Sequence, residues 1–139
     1  MHTELAQAHD GLRMAMRNFA HVMQTARVED MAMVARLRTA FSQLFREHMA
    51  QEDGMIASLR RTPVTPETDR ILREHSRAMV ALFLRYSDHI EYWTPAQIAQ
   101  DWPGYRTAVL SLQNGLHERM EWEEDHLHPL FTAPTLRAA

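Results

Sequence analysis

Histidine and glutamate stand in this chain at positions where a helix-forming pattern would ordinarily carry leucine. The stretch FREHMAQEDGMIASL, residues 45–59, has the apolar spacing of a core helix, yet it sets His48 and Glu52 one turn apart. His9 lies in a second stripe, Leu5, His9, Leu12, Met16, Phe19, Met23. His75 lies in a third, Ile71, His75, Met79, Leu82, Tyr86, Ile90, Trp93. Glu123 lies in the last, Tyr105, Val109, Leu112, Leu116, Glu123, Leu127. Burying such groups without partners costs several kcal/mol each, on the order of 2–7 for a neutral group and more for a charge. Converging imidazole nitrogens and carboxylate oxygens remove that cost by binding iron, manganese or zinc, and a carboxylate can bridge two cations.

Convergence requires the elements to bring these residues level, which can be tested by counting. Antiparallel neighbours pair at equal distances from their turn. With the first turn centred near Val28, His9 lies 19 residues before it and His48 lies 20 after. With the second centred near Val64, Glu52 lies 12 before and His75 lies 11 after. A mismatch of one residue is about 1.5 Å of helix rise, within side-chain reach. Across the third connection His75 lies 17 before Tyr92, while Arg119 and Glu123 lie 18 and 22 after Asp101. His9, His48, Glu52, His75 and Glu123 are therefore expected in one or two adjacent layers of a shared core.

Local signals delimit the helices that do the positioning. The second stripe starts at about Asp30 and runs Val34, Leu37, Phe41, Leu44, His48, Met55, Leu59, with Glu52 beside it. Pro63 ends that helix, and Thr65 before Pro66 is an N-cap followed by a proline at the first helical position. Thr94-Pro95-Ala96-Gln97 reads as a capping box opening one short extra turn. Asp101 and Pro103 start the last long helix, which Pro129 and Pro134 are expected to close, leaving a tail from about residue 131. The expected fold is all-α: an up-down-up-down antiparallel four-helix bundle with a short extra turn between helices 3 and 4, forming a single domain over residues 1–139.

The totals narrow the chemistry. There are no cysteines among 139 residues, so disulfides, thiolate zinc sites and cysteine nucleophiles are excluded and a metal site must use nitrogen and oxygen. A formal charge of −3 gives no basis for nucleic acid or an anionic membrane as partner. The longest apolar run, MVALFL at 79–84, is too short to span a bilayer, and the first residues carry no signal-type apolar region, so a cytoplasmic protein is the default expectation. No nucleophile–base pair stands out, and no catalysis is expected. Nine histidines beside four glycines is the unusual feature.

AHDGLR, HMAQED, REHSRAM and EEDHLHPL, in that order, resemble the four helix signatures of hemerythrin-like (HHE cation-binding) domains over nearly the whole chain. The resemblance implies a non-haem iron centre, usually of two ions, that binds dioxygen or nitric oxide or serves iron and redox sensing. Carried over by position, His9 and His48 bind one iron, Glu52 and Glu123 bridge, and His75 binds the second. Two family ligand positions differ here: four residues beyond His75 stands Met79, and four before Glu123 stands Arg119. The first half-site is complete by this reading and the second is degraded, with Arg119 suited to pair with Glu52 or Glu123. The expected site is thus mononuclear or weakened.

Other assignments stay open at this level. His117 and Glu121 are also spaced one turn apart and offer an alternative register, and His126 forms one E-x-x-H with Glu123. His2, His21, His89 and His128 have no level partner and read as surface or packing residues. The ten methionines read as adaptable core filler, the three tryptophans as packing residues, and ERMEWEED at 118–125 as a solvated face apart from Glu123. Two further functions compete with metal binding. One is a metal-free interaction domain with a buried Arg-Glu-His network. The other is a histidine phosphotransfer module, for which His9 would have to be exposed. The pattern specifies neither a protein partner nor an oligomeric state.

Overall fold

A computed structural model describes residues 2–132, and those residues are all helical apart from short connections. Helix α1 spans His2–Thr25, α2 Met31–Leu59, α3 Pro66–Tyr92, α4 Pro95–Gln100 and α5 Trp102–Trp122. A 3-10 turn, Val28–Asp30, leads into α2, and a π-helical turn, Glu123–Leu127, joins α5 to α6, His128–Thr132.

The helix starts have clear chemical causes. The Thr65 hydroxyl accepts from the Thr68 amide at 3.1 Å, and Pro66 supplies a preset first position. Thr94 accepts from the Gln97 amide at 3.2 Å and Asp101 from the Gly104 amide at 3.0 Å. Gly104 is required by that last cap, because a Cβ there would overlap the Asp101 carboxyl. Each such cap satisfies an amide that the first turn leaves without an intrahelical acceptor.

The core forms three apolar clusters along the helices. Phe19, Met23, Trp93, Tyr105 and Val109 belong to one, Leu12, Met16, Phe45, Leu82 and Leu116 to the next, and Leu59, Leu72, Leu127 and Leu130 to the third. His48 and Glu52 in α2, His75 in α3 and Glu123 after α5 fall in sequence between members of the second and third clusters, and His9 lies between the buried Leu5 and Leu12 of α1. The polar layer is thus enclosed by apolar side chains on both sides.

Three details differ from the sequence expectation. Leu44 is 38% exposed and Phe45 occupies the core in its place; Ile90 is likewise 37% exposed. Neighbouring apolar residues differ by about 100° round a helix, so the stripe can be drawn through the wrong one. Pro129 does not stop the last helix, which continues through Thr132. Pro134 and the rest of the expected tail, residues 133–139, lie outside the described residues. Among the described residues no helix is long and apolar enough to cross a membrane.

Candidate metal centre

His9 comes from α1, His48 and Glu52 from α2, and Glu123 from the first position of the π turn. All four are buried, and one donor atom from each lies within 4.8 Å of all the others, a grouping that could hold a metal ion. His9 Nε2 is 3.0 Å from both His48 Nε2 and Glu123 Oε1. His48 Nε2 is 3.2 Å from Glu52 Oε2 and 3.5 Å from Glu123 Oε1, while His9 Nε2 and Glu52 Oε2 are 4.0 Å apart. For bonds of about 2.1 Å to an ion, adjacent donors of an octahedron stand about 3.0 Å apart and opposite donors about 4.2 Å. The five spacings above, 3.0 to 4.0 Å, fall within that range, so these four residues could hold one ion.

Proton accounting at His9 gives an independent test of fit. Its Nδ1 is 2.8 Å from Glu124 Oε2, and Glu124 is gripped by both terminal nitrogens of Arg13 at 2.7 and 2.8 Å. The Arg13 hydrogen bond, followed by that from His9, outweighs partial burial and lowers the Glu124 carboxyl to about 2. A carboxylate only accepts, so His9 Nδ1 carries the hydrogen. Neutral His9 then turns the bare lone pair of Nε2 onto a Glu123 oxygen. Two acceptors at 3.0 Å need a cation between them, either a proton or a metal. Without a metal the nearest positive charge is a proton on His48, whose Nε2 neighbours both atoms: burial opposes that charge, but Glu123 and Glu52 outweigh it and hold the imidazole up at about 9. Burial likewise opposes ionisation of Glu123, and the hydrogen bond from His48 leads the effects that overcome it, keeping the carboxyl well below its usual range. The residues fit a cation.

His128 corrects the reading from sequence. It is fully buried, with Nε2 3.1 Å from Glu52 Oε2 and its ring centroid 4.7 Å from that of His9. Counting at 100° per residue puts His128 about 140° round from Glu123, on another face. The π turn defeats that count: the His128 amide bonds to the Glu123 carbonyl, five residues back, so the chain takes an extra residue in this turn. The cause is next in sequence, because Pro129 lacks an amide hydrogen and its ring would press on the carbonyl four residues earlier.

The other side of the two carboxylates is built differently. His75 is buried, with Nε2 3.7 Å from Glu52 Oε1 and Nδ1 3.6 Å from Glu123 Oε2. Arg119 Nη2 is 3.0 Å from His75 Nδ1 and 4.0 Å from Glu123 Oε2. Arginine can only donate, so Nδ1 of His75 is the acceptor and the hydrogen of the neutral ring sits on Nε2. Burial holds the imidazole below its ordinary value and favours that neutral form. Trp122 clamps the pair: its ring stacks on His75 at 6.2 Å, and the Arg119 guanidinium carbon lies 4.5 Å from its centroid. Arg119 thus reaches Glu123, one of the two carboxylates its chemistry suits, and makes its shortest contact with His75.

The remaining candidates lie elsewhere. Glu121 is exposed and His117 half-buried, and neither belongs to the four-donor group. His126 is exposed beside Trp122, and His21 is exposed. His89 packs on Tyr105 at 5.9 Å, far down the helix from this layer. In the acidic run Glu124 is a second exception to the solvated face, through its bonds to His9 and Arg13. His9 is fully buried with both ring nitrogens engaged, so it does not offer the exposed nucleophile that phosphotransfer at this residue requires. Comparisons of the chain with protein-family models, curated proteins and solved structures find no match.

Proposed function

We propose that the chain is a hemerythrin-like, up-down-up-down antiparallel four-helix domain that holds one non-haem metal ion, iron by the resemblance of its helix signatures. His9, His48, Glu52 and Glu123 are the ligands in this reading. Glu124 fixes the His9 tautomer, and His128 orients Glu52 from behind; metal sites commonly rely on such outer partners. The observation that carries the reading is the group of four buried donors within 4.8 Å of one another. Four protein donors leave up to two positions of a six-coordinate ion for water or a diatomic ligand. The bound ion would supply an open coordination position for dioxygen or nitric oxide, or a redox change for sensing. Arg119 takes the part of a second cation, since it places a permanent positive charge by Glu123 and uses up His75 Nδ1.

That same Arg119 contact favours a second reading, a metal-free network that stabilises an interaction domain. Thermal melts separate the two. A ligand present at about 1,000 times its Kd stabilises the native state by about 4 kcal/mol, roughly 10 °C or more for a domain of this size. Chelator-stripped protein is expected to melt lower by that order and to recover when ferrous ion is restored. A melting temperature indifferent to both treatments selects the metal-free network.

A further inference from the structure

A cleft of about 510 Å³ opens between α2 and α3, with walls from Met49, Ile56, Met79 and Phe83, and it reaches Glu52 and His75 at its buried end. A volume of this size, apolar walls and a few convergent polar groups are the usual make-up of a small-molecule site. The two polar groups are specific in what they offer. Glu52 Oε1 is buried and makes no hydrogen bond among the described residues, although Oε2 of the same carboxylate meets His48 and His128. Beside it, 3.7 Å away, is His75 Nε2, whose hydrogen is fixed there because Arg119 occupies Nδ1. That separation is too long for a mutual hydrogen bond. The buried end of the cleft therefore presents one unused acceptor next to one unused donor.

We propose that this cleft binds a neutral alcohol with an aliphatic tail, the hydroxyl accepting from His75 Nε2 and donating to Glu52 Oε1. A single hydroxyl is both donor and acceptor and can span the pair. A carboxylate head would meet the Glu52 charge, and an ammonium head would point hydrogens at the His75 N–H. The arginines at the rim do not rescue an anion, since Arg60 and Arg73 are held by Asp69 at 3.0 and 2.9 Å. The proposal rests on the single-ion reading, because a second ion between Glu52 and His75 would claim the same two atoms.

The test is a titration of the protein as purified, with 1-octanol, octanoate and octylamine as probes, followed by the methyl resonances of its methionines. 1-Octanol is expected to shift Met49 and Met79 saturably while leaving the exposed Met14 in place, and to bind at least tenfold tighter than either charged probe. His75→Phe, which keeps a ring against Trp122 but removes the donor, should weaken octanol binding about tenfold. Octanoate or octylamine binding as tightly as octanol overturns the proposal, as does a folded His75→Phe variant with unchanged affinity. An elemental assay on the same samples separates the two ideas. One ion with no saturable octanol shift overturns the cleft assignment alone, and two ions overturn it together with the single-ion reading. Saturable binding to protein without an ion upholds the cleft and removes the metal function.

Discussion

At His9 the outer ring nitrogen meets a carboxylate, and at His75 it meets a guanidinium; that difference decides what each inner nitrogen offers. Glu124 leaves His9 with a bare Nε2 pointed into the donor group, whereas Arg119 leaves His75 with an Nε2–H, which has no lone pair to offer a cation. Glu124→Gln tests this directly. An amide can donate to Nδ1, which moves the His9 hydrogen to Nε2 and removes the lone pair. Competition against a chelator should show metal affinity lowered 10–100-fold, the usual range for such supporting partners, and an unchanged affinity would remove Glu124 from the account. Spacing made His9, His48, Glu52 and His75 legible in the sequence, because each interrupts an apolar stripe at a level the turns make common. It could not reveal the Glu124 contact, because a half-exposed glutamate inside an acidic run carries no mark that an arginine and a buried imidazole have captured it.

The element that sequence periodicity handles worst is the last helix. EEDHLHPL carries three kinds of signal: acidic residues beginning with Glu123, the histidines His126 and His128, and Pro129. A uniform 3.6-residue period ranks His126 as the nearer companion of Glu123 and discards His128. The π turn reverses the ranking, leaving His126 exposed and placing His128 against Glu52. Alanine at each position separates the two. His128→Ala should lower metal affinity at least tenfold and leave Glu52 without one of its supports, while His126→Ala should match the wild type in a chelator competition. Equal effects would mean the turn has no part in building the site. The caps at Thr65, Thr94 and Asp101 were by contrast fully readable, since a capping side chain acts within three residues and needs no knowledge of the rest of the fold.

For the molecule as a whole, the enclosing apolar clusters and one remote histidine set the terms of stability. His89 is half-buried against Tyr105; burial first, then the nearby Arg38 and Arg85, push its imidazole down to about 4. The unfolded chain protonates the same ring near 6.5, so the unfolded state binds the extra proton between those values. The stability tied to neutral His89 is complete above about pH 6.5 and is lost as pH falls toward 4. Allowing for solvent access at a half-exposed ring, the loss is roughly 1–2 kcal/mol. Denaturant titrations across that window should show the wild type weakening by this amount relative to His89→Phe, which keeps the ring contact and cannot titrate. Parallel pH profiles for the two proteins would refute the assignment.

The order of elements was legible because proline, threonine and aspartate mark the breaks, and the depth of each stripe followed from its spacing except where adjacent apolar residues such as Leu44 and Phe45 competed for the core. The central proposal is that His9, His48, Glu52 and Glu123, whose donors lie within 4.8 Å of one another, would share a single cation while Arg119 stands in for another. The measurement closest to that claim is the metal content per chain of protein purified without chelator. One tightly held ion per chain is the predicted result. Two, or none after ferrous ion is offered, would contradict it.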